Sequence, residues 1–292
     1  MLASDGTIFV DSRAHKTIWD GCVAARGHGA TVVRYAHDDP EALERLLRRH
    51  PKTPRLVCMD GINSMTGNPP QLAAFLALAR EHDALLYVDD AHGFGVVGER
   101  DRSETSPYGR RGNRVVRHLG EGYDHVVLTG GFSKAYSSLL AFVACPPEFK
   151  RLLKVTAPPY LYSGPSPVAS LASVLLGLQV NQARGDELRA LLWQRTRRIL
   201  DHLDRLGAFT LNRSGFPIVE VPLADPDDLA RAGRFLLDRG IYVTLAFYPG
   251  VPRQEVGFRI QVTAANTDDQ VGELLAALDR LADVAPLRAA GS

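Results

Sequence analysis

The sequence predicts an α/β protein: a three-layer, mostly parallel sheet with helices on both faces, then a small C-terminal α/β domain. Three observations lead there. Short apolar runs alternate with longer amphipathic stretches through the first two thirds of the chain, the pattern of a parallel sheet crossed by helices. After residue 205 the spacing changes, and three strand-like runs interleave with two helical ones. The length of 292 residues is enough for two domains and a sizeable core.

In chain order, the strand expectations are 7–11, 31–35, 55–60, 84–89, 124–129 and 139–145, and the helices between them are 15–27, 39–50 and 69–82. Each strand is a short apolar run, such as Ala84-Leu85-Leu86-Tyr87-Val88 before Asp89. The segment 99–122 is rich in Gly, Arg and Ser and reads as a loop with one helical turn. Residues 166–205 are strongly helical, with a break expected near Gly185. The small domain is expected to hold strands 216–223, 241–247 and 257–264 with helices 225–239 and 267–284. The division is placed between a large domain, 1–182, and a small one, 183–292. Gly93-Phe94-Gly95-Val96-Val97-Gly98 has the spacing of a dinucleotide fingerprint, but no helix pattern follows it, so the phosphate-cradling argument fails.

Composition narrows the function classes. Hydrophobic content of 45% and charged content of 23% are ordinary for a globular protein. A formal net charge of +1 gives no support for nucleic-acid binding. No apolar stretch approaches the roughly 20 residues of a membrane span, and there is no signal peptide. Cys22, Cys58 and Cys145 are scattered and odd in number, which suits a reducing compartment and a cytoplasmic location.

Two segments carry chemistry. Lys134 sits on the turn Gly130-Gly131-Phe132-Ser133-Lys134 between the apolar runs 124–128 and 139–145. Such a lysine either reaches solvent from a loop or, if desolvated, serves as an amine nucleophile for carbonyls. The run 84–88 ends in Asp89, Asp90 and, shortly after, His92. In open α/β sheets ligands bind beyond the carboxyl ends of strands, so Asp89 and His92 are aimed at such a site. Asp90 reads as a hydrated strand exit. A metal site at Asp89, Asp90 and His92 is the weaker alternative, since nothing nearby completes a ligand set. Arg259 interrupts an apolar strand; it is either a solvent-facing edge residue or a bidentate carboxylate ligand. His15 alone reads as a satisfied histidine, and Ser64 alone as turn chemistry.

Together these segments resemble the α-oxoamine synthases, a branch of the pyridoxal-phosphate aminotransferase-fold superfamily. Six segments match collinearly: Asp11 to His15, His37-Asp38-Asp39 with Leu43-Glu44, Asp60 to Asn68, Val88 to His92, Phe132-Ser133-Lys134, and Arg259 to Asn266. The resemblance implies the superfamily's large domain, lacking its N-terminal part, plus the small domain. It implies pyridoxal 5'-phosphate as cofactor, with Lys134 as Schiff-base lysine and general base. Asp89 would face the ring nitrogen, His92 the phenolic oxygen, and His15 would stack on the ring. Ser64, Thr129 and Ser133 are implied as polar cofactor contacts, and Arg259 as the ligand of the substrate carboxylate. The implied reaction is a decarboxylative condensation of a small amino acid with an acyl thioester, on CoA or a carrier protein, by a homodimer.

Three departures matter. The family's Gly-rich segment and phosphate-binding helix N-terminus would precede Met1. Gly131 stands where a hydroxyl residue is usual. Ser163-Gly164 and Ser137-Ser138 replace Ser-Thr and Gly-Gly. They lead to an expectation of weak cofactor binding and of uncovered apolar surface on the sheet and at the dimer interface. Alternatives are an aminotransferase, which would release a keto acid, and a catalytically poor relative that dimerises with a complete subunit.

Overall fold

The computed structural model describes residues 6–51, 53–101 and 103–291. The chain divides into two compact units, Met1–Asn63 with Pro69–Gly185, and Ser64–Asn68 with Asp186–Ser292.

In the first unit the elements run β1 (Thr7–Asp11), α1 (Lys16–Gly27), β2 (Thr31–Tyr35), α2 (Pro40–Arg49), β3 (Arg55–Asp60), α3 (Leu72–Glu81) and β4 (Ala84–Asp89). Then come α4 (Val115–His118), β5 (Val126–Gly131), β6 (Ala141–Ala144), α5 (Pro147–Thr156) and α6 (Pro158–Leu161). The long helix α7 (Val168–Arg205) follows and runs on into the second unit. Among the described residues, six strands form one sheet in the order β2-β1-β3-β4-β5-β6. Neighbours are parallel from β2 to β5, and β6 returns antiparallel to β5.

Alternation along β1 gives the sheet two buried faces. Ile8 and Val10 pack with Ile18 and Cys22 of α1 and with Cys58 of β3. Phe9 points the other way, its ring edge-on to His50 just after α2 at 6.1 Å. Helix α2 is set by its sequence. Asp39 caps it by accepting from the Ala42 N–H at 2.8 Å, Pro40 sits in the first turn, and Leu43 and Leu47 bury one stripe.

Several expectations change here. Helices α5 and α6 stand where none was expected. Neither buries a residue. Helix α7 passes through Gly185 without a break. A mid-helix glycine costs only about 1 kcal/mol relative to alanine, which the flanking helix formers offset. The run 139–145 is not a buried strand: β6 is an edge, with Leu139 85% exposed just before it. Exposed apolar side chains continue through Tyr160, Tyr162, Val168, Leu175 and Leu176.

In the second unit β7 (Ile218–Pro222), α8 (Leu229–Leu237), β8 (Thr244–Ala246), β9 (Gly257–Gln261) and α9 (Asp268–Leu281) follow α7. The strands form an antiparallel sheet in the order β7-β9-β8. A capping box between Thr267 and Gln270 starts α9. Asn68 ties its segment to this unit, its amide donating to the Leu211 carbonyl at 2.8 Å. Gly67 has φ +72, and a Cβ there would lie 2.6 Å from the Ile218 carbonyl oxygen, so only glycine fits the turn. No helix among the described residues is long and apolar enough to cross a membrane.

Candidate active site

The first unit gathers the chemistry at the carboxyl edge of its sheet. Parallel register aligns Asp60 of β3 with Asp89 of β4, and Asp89 with Thr129 of β5. Side chains at one register of neighbouring parallel strands share a face, about 4.8 Å apart along the sheet. Two carboxyls and a hydroxyl therefore stand in a row where an α/β sheet binds its ligand.

Asp89 ends β4, and its Oδ1 accepts from the Ala91 N–H at 3.1 Å, which bends the chain sharply away. His92 follows, half-buried, in the resulting turns. Asp90 departs from the expected hydrated exit. It is fully buried, and its Oδ2 accepts from the Val115 N–H at 2.9 Å, which fixes the start of α4. Burial pushes its carboxyl up to about 7. No helix follows Gly93–Gly98, as the sequence indicates.

His15 is the N-cap of α1 and is exposed. Its Nδ1 lies 2.8 Å from the Thr17 hydroxyl, and its backbone N–H donates to Asp60 Oδ1 at 3.2 Å. Asp60 was read only as the first residue of a turn motif, yet it stands beside Asp89. The signal was available: the run Leu56-Val57-Cys58-Met59 ends in a carboxylate just as β4 does. Burial is the largest influence on Asp60 and pushes it up to about 7; Asp89 and Asp11 raise it further, and the His15 N–H and His37 oppose them.

Lys134 lies on the turn joining β5 to β6, and this turn is clamped. Phe132 N–H donates to the Leu140 carbonyl and Ser138 N–H to the Phe132 carbonyl, each at 2.8 Å. The Ser138 hydroxyl donates to the Ser170 carbonyl at 3.0 Å. Beneath the turn, Phe94 meets Phe132, Tyr136 and Phe142 with ring centroids 4.9–5.2 Å apart. The Arg114 guanidinium lies over Phe142 at 4.4 Å and over Phe94 at 5.1 Å. Gly95 has φ +86, and a Cβ there would come within 2.7 Å of the Ala135 Cβ. The segment bearing His92 and the turn bearing Lys134 are thus packed as one piece.

Lys134 itself is exposed, as is Ser133. Of the two alternatives for Lys134, the one seen is a lysine that reaches solvent from a loop, because β6 is an edge of the sheet. Ser64 and Arg259 group with the second unit. There the Arg259 Nη1 donates to the Ser64 carbonyl, and the Met65 sulfur lies 3.8 Å away. Arg259 is half-buried on β9 and pairs in register with Glu220 of β7. Burial lowers the guanidinium's pKa, and the Glu220 carboxylate opposes this. Among the described residues no group of three His, Cys, Asp or Glu could hold a metal ion.

A carboxylate, two imidazoles, hydroxyls and a primary amine on one sheet edge form a donor set that fits pyridoxal phosphate. Among the described residues the buried Asp60 Oδ2 has no hydrogen-bond partner, and the second carboxyl beside it favours a cationic ring.

The aminotransferase class I and II family matches residues 3–278. A putative 8-amino-7-oxononanoate synthase of Desulforudis audaxviator is 33% identical over 280 residues, covering 96% of this chain and 68% of the relative. The serine palmitoyltransferase of Caulobacter vibrioides is 32% identical over 270 residues, covering 92% of this chain and 63% of the relative. A solved serine palmitoyltransferase of Sphingomonas wittichii superposes with a TM-score of 0.86 at 26% identity, over 97% of this chain and 68% of that one. An SPT structure with a PLP internal aldimine does so with the same TM-score and identity. The chain spans about two thirds of the length of the curated relatives it matches. It belongs to the aminotransferase class I and II family and, within it, to the α-oxoamine synthases.

Proposed function

We propose that this protein is a pyridoxal-phosphate-dependent acyltransferase. It condenses a small amino acid with an acyl thioester, on CoA or a carrier protein, and releases carbon dioxide, the thiol and an α-amino ketone. The observation that carries the reading is the placement of Asp89 and the Lys134 turn on neighbouring strands at one sheet edge. Bound there, the cofactor supplies an electron sink for a carbanion next to an amino nitrogen.

The chain's own residues have distinct tasks. The Asp89 carboxylate holds a proton on the ring nitrogen, because a nearby negative charge favours the protonated form. His15 offers its ring as a stacking surface, and His92 a proton at the phenolic oxygen. Lys134 Nζ would hold the cofactor covalently and would serve as the base for the α-proton of the amino acid. Thr129, Ser133 and Ser64 offer polar contacts, and Arg259 offers the cation for the substrate carboxylate. The large domain, 1–182, would hold the cofactor and the small one, 183–292, the arginine. The exposed apolar stretch from Leu139 to Leu176 supports a homodimer, and the free cysteines support a cytoplasmic location. The test is to incubate the purified protein with pyridoxal phosphate, glycine, alanine or serine, and acyl-CoA. Carbon dioxide with an α-amino ketone supports the reading; a keto acid makes the protein an aminotransferase. A second reading, a catalytically poor relative, is favoured by Gly131 and Gly164; it predicts cofactor binding without product.

Gly131→Ser tightens pyridoxal phosphate binding. A Cβ at Gly131 would sit 3.6 Å from the nearest atoms, ordinary contact, so a hydroxyl can be added without displacement. One added hydrogen bond to a charged phosphate is worth about 1.5 kcal/mol, roughly a tenfold gain in affinity. Absorbance titration checks this, and an unchanged dissociation constant would place the phosphate elsewhere.

Arg259→Ala weakens amino-acid binding by about tenfold and leaves cofactor affinity unchanged, as loss of one charge-assisted contact requires. Titration of the cofactor-loaded protein with serine measures it. Equal curves for parent and variant would remove Arg259 from the anchor role.

A further inference from the structure

We propose that Asp60 is a positioning residue for the cofactor ring: its carboxyl links the backbone of His15 to the flank of Asp89, and its charge state sets how strongly the site holds a protonated ring nitrogen. The proposal rests on the cofactor reading above. Three observations carry it. Asp60 is aligned with Asp89 on the adjacent parallel strand, so the two carboxyls share a face. Asp60 Oδ1 accepts from the His15 N–H at 3.2 Å, at the N-cap of α1, and so fixes where that imidazole starts. Asp60 Oδ2 is buried without a hydrogen-bond partner among the described residues, although a buried polar atom ordinarily finds one.

The groups that face Asp60 come from every strand around it. They are Asp11 of β1, Tyr35 of β2, His37 after β2, and Tyr87 and Asp89 of β4, together with the His15 N–H. Two of these are carboxylates, and both raise it further. A second carboxyl in such surroundings stays protonated until about pH 7. As a neutral acid it still accepts from the His15 N–H and adds no charge beside the ring. Once ionised it adds a second negative charge beside a cationic ring, which strengthens binding and raises the proton affinity of the ring nitrogen. Reciprocally, a bound cationic ring lowers the Asp60 pKa, so binding near neutral pH releases a proton from Asp60.

The test uses pyridoxamine phosphate, whose amine cannot condense with Lys134, so no covalent bond to that lysine contributes to the affinity. Dissociation constants are measured by equilibrium dialysis from about pH 5.5 to 8.5 for the parent, Asp60→Asn and Asp60→Ala, each checked for folding by circular dichroism. The ionisation of the phosphate is common to all three and cancels in the ratios. Asparagine keeps an oxygen for His15 but cannot ionise. The expected ratio of Asp60→Asn to parent is about one at the acid end and on the order of ten at the alkaline end. Asp60→Ala, which also frees the His15 N–H, binds more weakly than Asp60→Asn across the whole range. A ratio that does not change with pH overturns the proposal and leaves the cofactor reading standing. Failure of the folded parent to bind at any pH overturns both.

Discussion

Lys134→Ala abolishes the borohydride-trapped pyridoxyl label and lowers turnover on the order of a thousandfold, as loss of the proposed nucleophile and general base requires. The chain has five lysines, so the assignment is easily tested. Lys16 is tied to Asp20 at 2.6 Å, and Lys150 and Lys154 lie on α5. Lys134 stands on the strand turn next to the Asp89 strand. Reduction, digestion and peptide mass mapping of the parent should place the label on Lys134. The Lys134→Ala protein should show none, and Lys16→Ala should keep it. A label that moves to another lysine at full stoichiometry would mean that the β5–β6 turn is not the point of attachment.

Phe94→Ala destabilises the protein by about 3–5 kcal/mol, the usual range for removing a large buried aromatic side chain. Phe94 is 6% exposed and touches three other rings and the Arg114 guanidinium. Urea unfolding followed by fluorescence measures the loss. Phe94→Leu should recover most of the apolar part but not the ring geometry, worth about 0.5–1.5 kcal/mol for each aromatic pair. A loss under about 1 kcal/mol would show that the cluster relaxes around the gap. Because Phe94 follows His92 and supports Phe132 and Tyr136, the alanine variant should also bind pyridoxal phosphate more weakly at temperatures where it remains folded.

The first four strands were legible to the residue, and the reason is physical. A parallel strand inside the sheet is a mostly apolar run between polar turns, as 7–11 and 84–89 are, and β2, at the edge, shows the same kind of run in Thr31-Val32-Val33. The expectation for β5 was displaced by two residues. His125 adopts φ +61 and delays the strand, while pairing with β6 extends it into Gly130 and Gly131. Helices α5 and α6 were hidden because Pro146, Pro147, Pro158 and Pro159 look like breaks, although proline is tolerated in a first helical turn. The small domain's strands were legible but not their antiparallel pairing, which depends on partners distant in sequence.

At the candidate site, Asp89 and Lys134 stand out as residue types in unusual places, and the family resemblance named their roles. The exposure of Lys134 was not legible, since it follows from β6 being an edge, a property of sheet order rather than of the run 139–145. Asp60 was missed because its partners, His15 and Asp89, are 45 and 29 positions away in the chain, and only register brings them together.

The clamped turn beneath Lys134 has an entropic consequence. A lysine side chain has four rotatable bonds and sweeps a wide volume when its backbone also moves. Here the backbone pivot is held by Phe94, Gly95 and the Ser138 hydroxyl, so only the side-chain bonds remain free. The amine then explores a small sphere around a fixed centre, and its effective concentration within that sphere stays high. Once released from a partner, such an amine is recaptured by geometry instead of by a search through solvent. Loosening the pivot would dilute it without altering a single reacting group.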